Sequence, residues 1–211
     1  MRKIFFLALL CCAGALLAVE NDAEQHYKRG AGLFFEGKFT ESLAEFDAEI
    51  KADPARAPQH WQRGIALYYA GRFDDGRKQF ESHRDVNPND VENAAWHFLC
   101  AAKASGVEAA RAKLIPIDLT RDTRVPMQQI YELFKGSGTE QDVLAAAQAG
   151  NPSAEQLKNN LCYAHLYLGL YADALGRKES EREHMRKAAL DFKQGHYMGL
   201  VAQVHDKFKL K

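Results

Sequence analysis

The chain has 211 residues, of which 46% are apolar, and this is enough for one domain with its own hydrophobic core. Its 28 basic residues balance its 28 acidic residues, so it carries neither the basic field that binds nucleic acid nor an acidic tail. The six prolines are few, and long stretches of Ala, Leu, Glu, Lys and Arg favour helix, so the composition predicts an all-α protein.

Residues 1–18 are typical of a secretory signal peptide. Arg2 and Lys3 precede an uncharged run over residues 4–19. That run is shorter than the roughly twenty residues of a membrane-spanning helix, and small residues follow its hydrophobic centre. Cleavage fits after Ala15 or after Ala18, and an anchor that is never removed is the alternative. We therefore expect an exported protein of the periplasm or cell envelope, with a net charge of 26 − 28 = −2 after cleavage.

Two cysteines of this segment, Cys11 and Cys12, stand where a bacterial lipoprotein carries its lipidated cysteine. The residue before each of them is not small, as that signal normally requires. Lipidation of Cys11 or Cys12 is thus an alternative that the sequence leaves open.

The next part of the chain repeats itself. Residues 29–39 (RGAGLFFEGKF) and 63–73 (RGIALYYAGRF) lie thirty-four positions apart and share five of eleven residues. Each is followed by a second helical pattern and by a proline that ends it. We predict two helix–turn–helix units over residues 23–56 and 57–90. Arg29 and Arg63 should either extend past the core to keep their charge in water or pair with acidic residues of the neighbouring helix, for which the candidates are Glu45 and Glu49.

Beyond the second unit the repeat weakens. Residues 91–117 predict a degenerate third unit, with Phe98 in place of the helical glycine. Residues 123–160 do not match the repeat and predict two inserted helices, of which the first runs from about Pro126 to Lys135. The second should begin at Thr139, whose hydroxyl is a suitable N-cap.

A fourth unit with a final helix is predicted over residues 161–211. Gly169, Gly176 and Met185 have the spacing of the first two units. From Tyr197 onward, apolar residues recur at helical spacing while the terminal lysines fall on the other face. This last helix should cap the final repeat.

The period of thirty-four residues, with helical glycines Gly30 and Gly64 and turn glycines Gly37 and Gly71, resembles the tetratricopeptide repeat (TPR) family. The resemblance implies a right-handed α-solenoid of antiparallel helix pairs, here with a divergent helical insertion and a C-terminal capping helix. The order of export signal, repeats, divergent middle and final repeat is also similar to the bacterial envelope TPR lipoproteins of the NlpI kind, which implies an adaptor role.

The resemblance also implies a concave face lined by the first helix of each unit. The groove positions of the family fall on largely aromatic residues of the first two units, namely Tyr27, Phe34, Phe35, Trp61, Ile65, Tyr68 and Tyr69. A groove of this kind would bind a protein or peptide, because large aromatic side chains provide much of the energy of interfaces. Phe34 and Tyr68 could equally pack between helices.

The sequence provides little support for catalysis. It contains no His-Glu-x-x-His, no cysteines at zinc spacing and no glycine-rich phosphate loop, so we predict no metal, cofactor or small-molecule substrate. His97 and Cys100, and likewise Cys162 and His165, are three residues apart on one helical face, but no orienting Asn or Asp accompanies either pair. Core packing is the better interpretation of both cysteines, and a disulfide between them is left open.

The leading hypothesis is therefore a non-catalytic, exported TPR-like module that binds a protein or peptide through its concave face. The first alternative is a structural scaffold in which the repeats form a homodimer. The second is an enzyme with a Cys/His site.

Overall fold

The computed structural model describes residues 22–210, and all of the regular secondary structure in this range is helical. Helix α1 covers residues 22–35 of this range, and the further helices are α2 (Phe39–Ala52), α3 (Trp61–Tyr69), α4 (Phe73–Arg84), α5 (Val91–Ser105), α6 (Val107–Ala112), α7 (Met127–Lys135), α8 (Glu140–Gln148), α9 (Ala154–Ala174), α10 (Lys178–Arg186) and α11 (Tyr197–Phe208). A 3-10 helix (Pro54–Gln59) precedes α3, and a π-helical turn (Lys187–Asp191) follows α10. The expected all-α class is confirmed. The predicted signal peptide, with Cys11 and Cys12, lies outside the described residues.

The two repeated segments each place a glycine against an aromatic ring. A Cβ atom on Gly30 would lie 2.6 Å from the ring of Phe46, and one on Gly64 would lie 2.5 Å from the ring of Phe80. Only glycine leaves room for these rings, so the second helix of each unit rests directly on the backbone of the first. The repeat in the sequence is thus a repeat of the same interhelical contact.

The turns between the paired helices also depend on glycine. Gly37 and Gly71 have φ angles of +79° and +77°, in the left-handed region that other residues rarely adopt. After Gly71, the Arg72 N–H donates to the carbonyl oxygen of Leu67 at 2.9 Å, which satisfies one of the free carbonyls at the end of α3.

The inserted helices lie where the sequence places them. Helix α7 spans Met127–Lys135, and α8 begins directly after Thr139. The hydroxyl of Thr139 accepts from the Asp142 N–H at 3.1 Å, and the Asp142 carboxylate accepts from the Thr139 N–H at 2.9 Å. The predicted cap is therefore confirmed as a reciprocal capping box.

Helix α9 is the longest described helix, with 21 residues, and it begins earlier than the boundary expected at residues 160 and 161. Ser153 caps it, because its hydroxyl accepts from the Gln156 N–H at 3.3 Å. The insertion and the last predicted unit therefore share one continuous helix. A Cβ atom on Gly169 would lie 2.9 Å from the side chain of Met185, so this pair resembles the contacts of the first two units.

Helix α11 packs against elements from distant parts of the described chain. It contacts α9 and α10. It also meets the first two units, since the ring centroid of Tyr197 lies 4.7 Å from that of Trp61 and 5.2 Å from that of Phe35. The C-terminal helices thus contact the aromatic residues of α1 and α3. Among residues 22–210, no helix combines the length and apolar character needed to cross a bilayer.

Candidate functional site: an aromatic cavity with unpaired polar atoms

The seven residues predicted to line a groove fall into two groups. Phe34, Ile65, Tyr68 and Tyr69 are buried, at 0 to 3% exposure. The other three, Tyr27, Phe35 and Trp61, are half-buried. The first group therefore packs inside the protein and does not face an open groove, whereas the second remains accessible in part. Partner binding by any of the seven stays a prediction.

The C-terminal helices account for this burial. The Tyr68 hydroxyl donates to the Asp173 carboxylate of α9 at 2.5 Å, and the Tyr69 hydroxyl lies 3.0 Å from His205 Nδ1 of α11. Asp173 also accepts from Lys103 at 2.7 Å. These contacts fix the two tyrosines of α3 against α9 and α11. Such contacts could not be predicted from local sequence patterns, because 105 and 136 residues separate the partners.

Beside this covered region lies a cavity of about 330 Å³, which we call the central cavity. Its walls come from α3, α4 and α5 and from the beginning of α11, with one side chain from α9. They are mainly aromatic, and the lining residues are Trp61, Phe80, His83, Asp90, Glu92, Asn93, Trp96, Tyr163, His196, Tyr197 and Met198. Trp61 is the only one of the seven predicted residues that lines it.

Unpaired polar atoms are concentrated in the side chains of this cavity. Within residues 22–210, six buried side-chain polar atoms lack a hydrogen-bond partner, and four of them belong to residues that line the cavity: Asn93 Oδ1, Trp96 Nε1, His196 Nε2 and Tyr197 OH. Trp96 and Asn93 are only 1% and 3% exposed. Each such group typically costs about 1–3 kcal/mol, so the walls of this cavity carry a local cost to stability.

The hydrogen bonds that these side chains already make show whether each unpaired atom is a donor or an acceptor. Asn93 Nδ2 donates to the Phe80 carbonyl at 3.2 Å, which leaves the oxygen Oδ1 as an acceptor. The Gly199 N–H donates to His196 Nδ1 at 3.2 Å, so a neutral His196 ring carries its proton on Nε2. Burial lowers the pKa of His196, and this keeps the ring neutral. The indole N–H of Trp96 can only donate. The four unpaired atoms are therefore two N–H donors, one acceptor and one hydroxyl, all of them buried in the walls.

One edge of the central cavity carries charge. Asp90 and Glu92 line it, and both pair with Arg124, at 2.6 and 2.5 Å. Arg124 also pairs with Asp122 at 2.6 Å. Burial raises the pKa of Glu92, although the Arg124 guanidinium opposes that effect. Three carboxyl groups around one guanidinium give this edge an excess of negative charge.

Two shallower cavities lie on either side. One, of about 390 Å³, is bordered by Tyr27, Arg56 and Trp61. The other, of about 640 Å³, is bordered by Arg124 and Tyr163 among other residues. Trp61 is a wall of the first and of the central cavity, and Tyr163 is a wall of the central and of the last. The three cavities are therefore neighbours in a row.

The two Cys/His pairs are arranged for packing. Both Cys100 and Cys162 are buried free thiols, so no disulfide joins them. Burial raises the pKa of Cys162 to about 11, and that of Cys100 is raised further. Cys162 Sγ lies 3.8 Å from the Ala188 carbonyl, and His165 bonds to another histidine, His184. Core packing of both cysteines, the preferred interpretation of the sequence, is confirmed.

Sequence reasoning missed most of the cavity. Trp96, Asn93, Tyr163 and His196 were not among the predicted site residues. Trp96 had a signal, because it lies thirty-five positions after Trp61, a shift of one residue from the period. Asn93, Tyr163 and His196 carry no signal of their own in the sequence, and the fold brings them to the cavity from α5, α9 and the N-cap of α11.

Comparison with known proteins does not assign the chain to a family. The chain matches no protein-family model and no curated protein. The geometry of the cavity is therefore the main guide to function.

Proposed function

We propose that this protein is a non-catalytic binding module, a TPR-like α-solenoid that is exported to the cell envelope and there holds a segment of a partner protein. The segment would lie along the row of three cavities, with one of its side chains in the central cavity. The observation that carries the proposal is the central cavity itself, whose walls are mainly aromatic and include the predicted groove residue Trp61. Cavities with apolar and aromatic walls and a few polar side chains are typical binding sites.

The repeat spacing and the glycine contacts of the first two units support the TPR-like part of the proposal. In this interpretation, the C-terminal helices fill one part of the concave face, around Tyr68 and Tyr69, and leave the row of cavities beside it. Trp61 connects the predicted concave face with the cavities, because it is a predicted groove residue and also borders two of the cavities.

Selection from a displayed library of random peptides tests this function. The immobilised wild-type protein should enrich peptides with a common motif. Trp61→Ala should weaken the binding of those peptides by about tenfold or more, because a large aromatic anchor typically contributes about 2 kcal/mol.

Leu190→Ala provides the control, since Leu190 is 62% exposed and borders none of these cavities. It should enrich the same motif as the wild type. Both variants must show the circular dichroism of the folded protein. If no motif emerges, or if Trp61→Ala retains full affinity while folded, the proposed function is wrong.

A further inference from the structure

We infer that the side chain held in the central cavity is a cation, the guanidinium group of an arginine or the ammonium group of a lysine in the bound segment. This inference rests on the proposed function and adds the chemistry of the group that the cavity takes. Three features of the lining support it: accessible aromatic rings, an excess of negative charge and a histidine that can accept a hydrogen bond.

The accessible part of the lining is largely aromatic. Trp61, Tyr163 and Tyr197 line the cavity and are only half-buried, so each of them keeps accessible surface. The ring centroids of Trp61 and Tyr197 lie 4.7 Å apart, with an angle of 78° between the ring planes. The face of an aromatic ring carries partial negative charge and attracts a cation, most strongly when the ring is that of tryptophan. These walls therefore favour a cation over an anion.

The charge of the lining favours a cation over a neutral apolar group as well. Asp90 and Glu92 line the cavity, and their side chains keep 20% and 12% exposure, whereas no lysine or arginine of the described chain lines it. Arg124 pairs with both and with Asp122, so the formal charge of this group is +1 − 3 = −2. Protonation of Glu92 would still leave one negative charge in excess. A cation in the cavity is therefore attracted, and an anion is repelled.

His83 provides an acceptor for the N–H groups of such a cation. It lines the cavity, is only 6% exposed, and has its Nδ1 atom 2.9 Å from the Pro58 carbonyl oxygen. Because a carbonyl group only accepts, Nδ1 carries the proton, and Nε2 of the neutral ring is an acceptor. Nε2 makes no hydrogen bond within residues 22–210 and is not one of the six buried unpaired atoms, so solvent reaches it. A guanidinium or ammonium group can donate to this nitrogen, whereas an apolar side chain cannot.

Two pairs of small probes isolate the effect of charge: the acetylated methylamides of arginine and citrulline, and those of lysine and Nε-acetyllysine. In each pair the first side chain is cationic and the second is neutral. The chain has two tryptophans and both line the cavity, so its ¹⁵N-correlated NMR spectrum shows two indole N–H peaks, which Trp61→Phe assigns. At constant ionic strength, we expect the cationic member of at least one pair to shift these peaks saturably, with a dissociation constant at least about tenfold lower than that of its neutral partner. The pair with the larger difference identifies the preferred side chain.

Variants that remove charge test the edge of the cavity. Asp90→Asn and Glu92→Gln keep the shape of each side chain, and Asp90→Asn also keeps an N-cap for α5. Each should weaken binding of the cationic probe by about threefold to tenfold and leave the neutral probe unchanged, whereas a general disturbance of the cavity would weaken both. Glu45→Gln is the matched control, since Glu45 pairs with Arg29 at 3.0 Å and borders none of the three cavities. It should leave the binding of both probes unchanged.

The inference and the proposed function fail in different ways. If neither pair shows a preference for its cationic member, or if no probe shifts an indole peak saturably, the cation inference is wrong. Full affinity of both folded edge variants for the cationic probe would also overturn it. A selected peptide motif that depends on Trp61 but contains neither Lys nor Arg would overturn the inference while the proposed function stands, whereas the absence of any motif would overturn the proposed function itself.

Discussion

At the scale of single residues, the protein contains two kinds of buried polar group, those with a hydrogen-bond partner and those without one. The Tyr68 hydroxyl is fully paired, since it donates to Asp173 at 2.5 Å. The Tyr197 hydroxyl is buried without a partner among residues 22–210. The first group stabilises the folded chain, and the second destabilises it. Removal of the two hydroxyls should therefore change stability in opposite directions.

We expect Tyr197→Phe to raise the free energy of unfolding by about 1 kcal/mol, because it removes a buried unpaired hydroxyl without changing the shape of the ring. Tyr68→Phe should lower it by about 1–3 kcal/mol, since Asp173 loses a hydrogen bond. Urea unfolding followed by circular dichroism measures both values. Clear destabilisation by Tyr197→Phe would show that this hydroxyl is paired in the folded protein.

The ion pairs of Arg29 and Arg63 show which charged contacts can be predicted from sequence spacing. Arg29 pairs with Glu45 at 3.0 Å, as the sequence predicts. Arg63 instead pairs with Asp47 at 2.8 Å, because Glu49 is occupied by Arg56 and His60. A pairing within one repeat could be predicted from spacing. The competition for Glu49 could not, since it depends on the 3-10 helix that carries Arg56 toward it.

At the scale of elements, the glycines of the repeat explain why the helices pair so closely. Gly64 carries the ring of Phe80 directly on its backbone, whereas Gly32, also helical, has nothing within 4 Å of the place where its Cβ would be. The same substitution at the two positions should therefore have opposite effects.

Gly64→Ala should lower the free energy of unfolding by about 1–3 kcal/mol, because its methyl group would displace the Phe80 ring. Gly32→Ala should raise it by roughly 0.5–1 kcal/mol, because alanine loses less conformational freedom in a helix. Thermal or urea unfolding of the two variants checks both signs. Equal effects would mean that the close contact at Gly64 does not form.

Elements with local signals were predicted well. The repeat spacing indicated the helices of the first two units, and Thr139 indicated the beginning of α8. The beginning of α9 was not predicted. The expected boundary at residues 160 and 161 came from the repeat spacing, whereas Ser153 caps the helix earlier in the chain. The contact of α11 with the first two units was also missed, because an amphipathic pattern shows that a face is buried but not against which partner.

At the scale of the whole molecule, several buried histidines make the fold sensitive to acid. Burial lowers the pKa of His60, His97, His184 and His196, and lowers that of His165 to about 4. The unfolded chain takes up protons near pH 6.5, whereas the folded state holds these rings neutral. Stability should therefore be complete above about pH 6.5 and decrease as the pH falls toward the folded-state values.

Between pH 7 and pH 5, His165 alone should reduce the free energy of unfolding by about 2 kcal/mol. Urea unfolding at the two pH values measures the loss, and His165→Gln should remove much of it. An unfolding midpoint that is equal or higher at pH 5 would show that these rings are not held neutral in the folded state.

The most direct test of the central claim is an NMR titration of the wild-type protein with a peptide from the display selection, observed at the two indole N–H groups. Trp61 borders two of the cavities and Trp96 lines the central one. Both peaks should shift with the same dissociation constant. Saturable binding that leaves both indole peaks in place would contradict the account, because the peptide would then bind elsewhere.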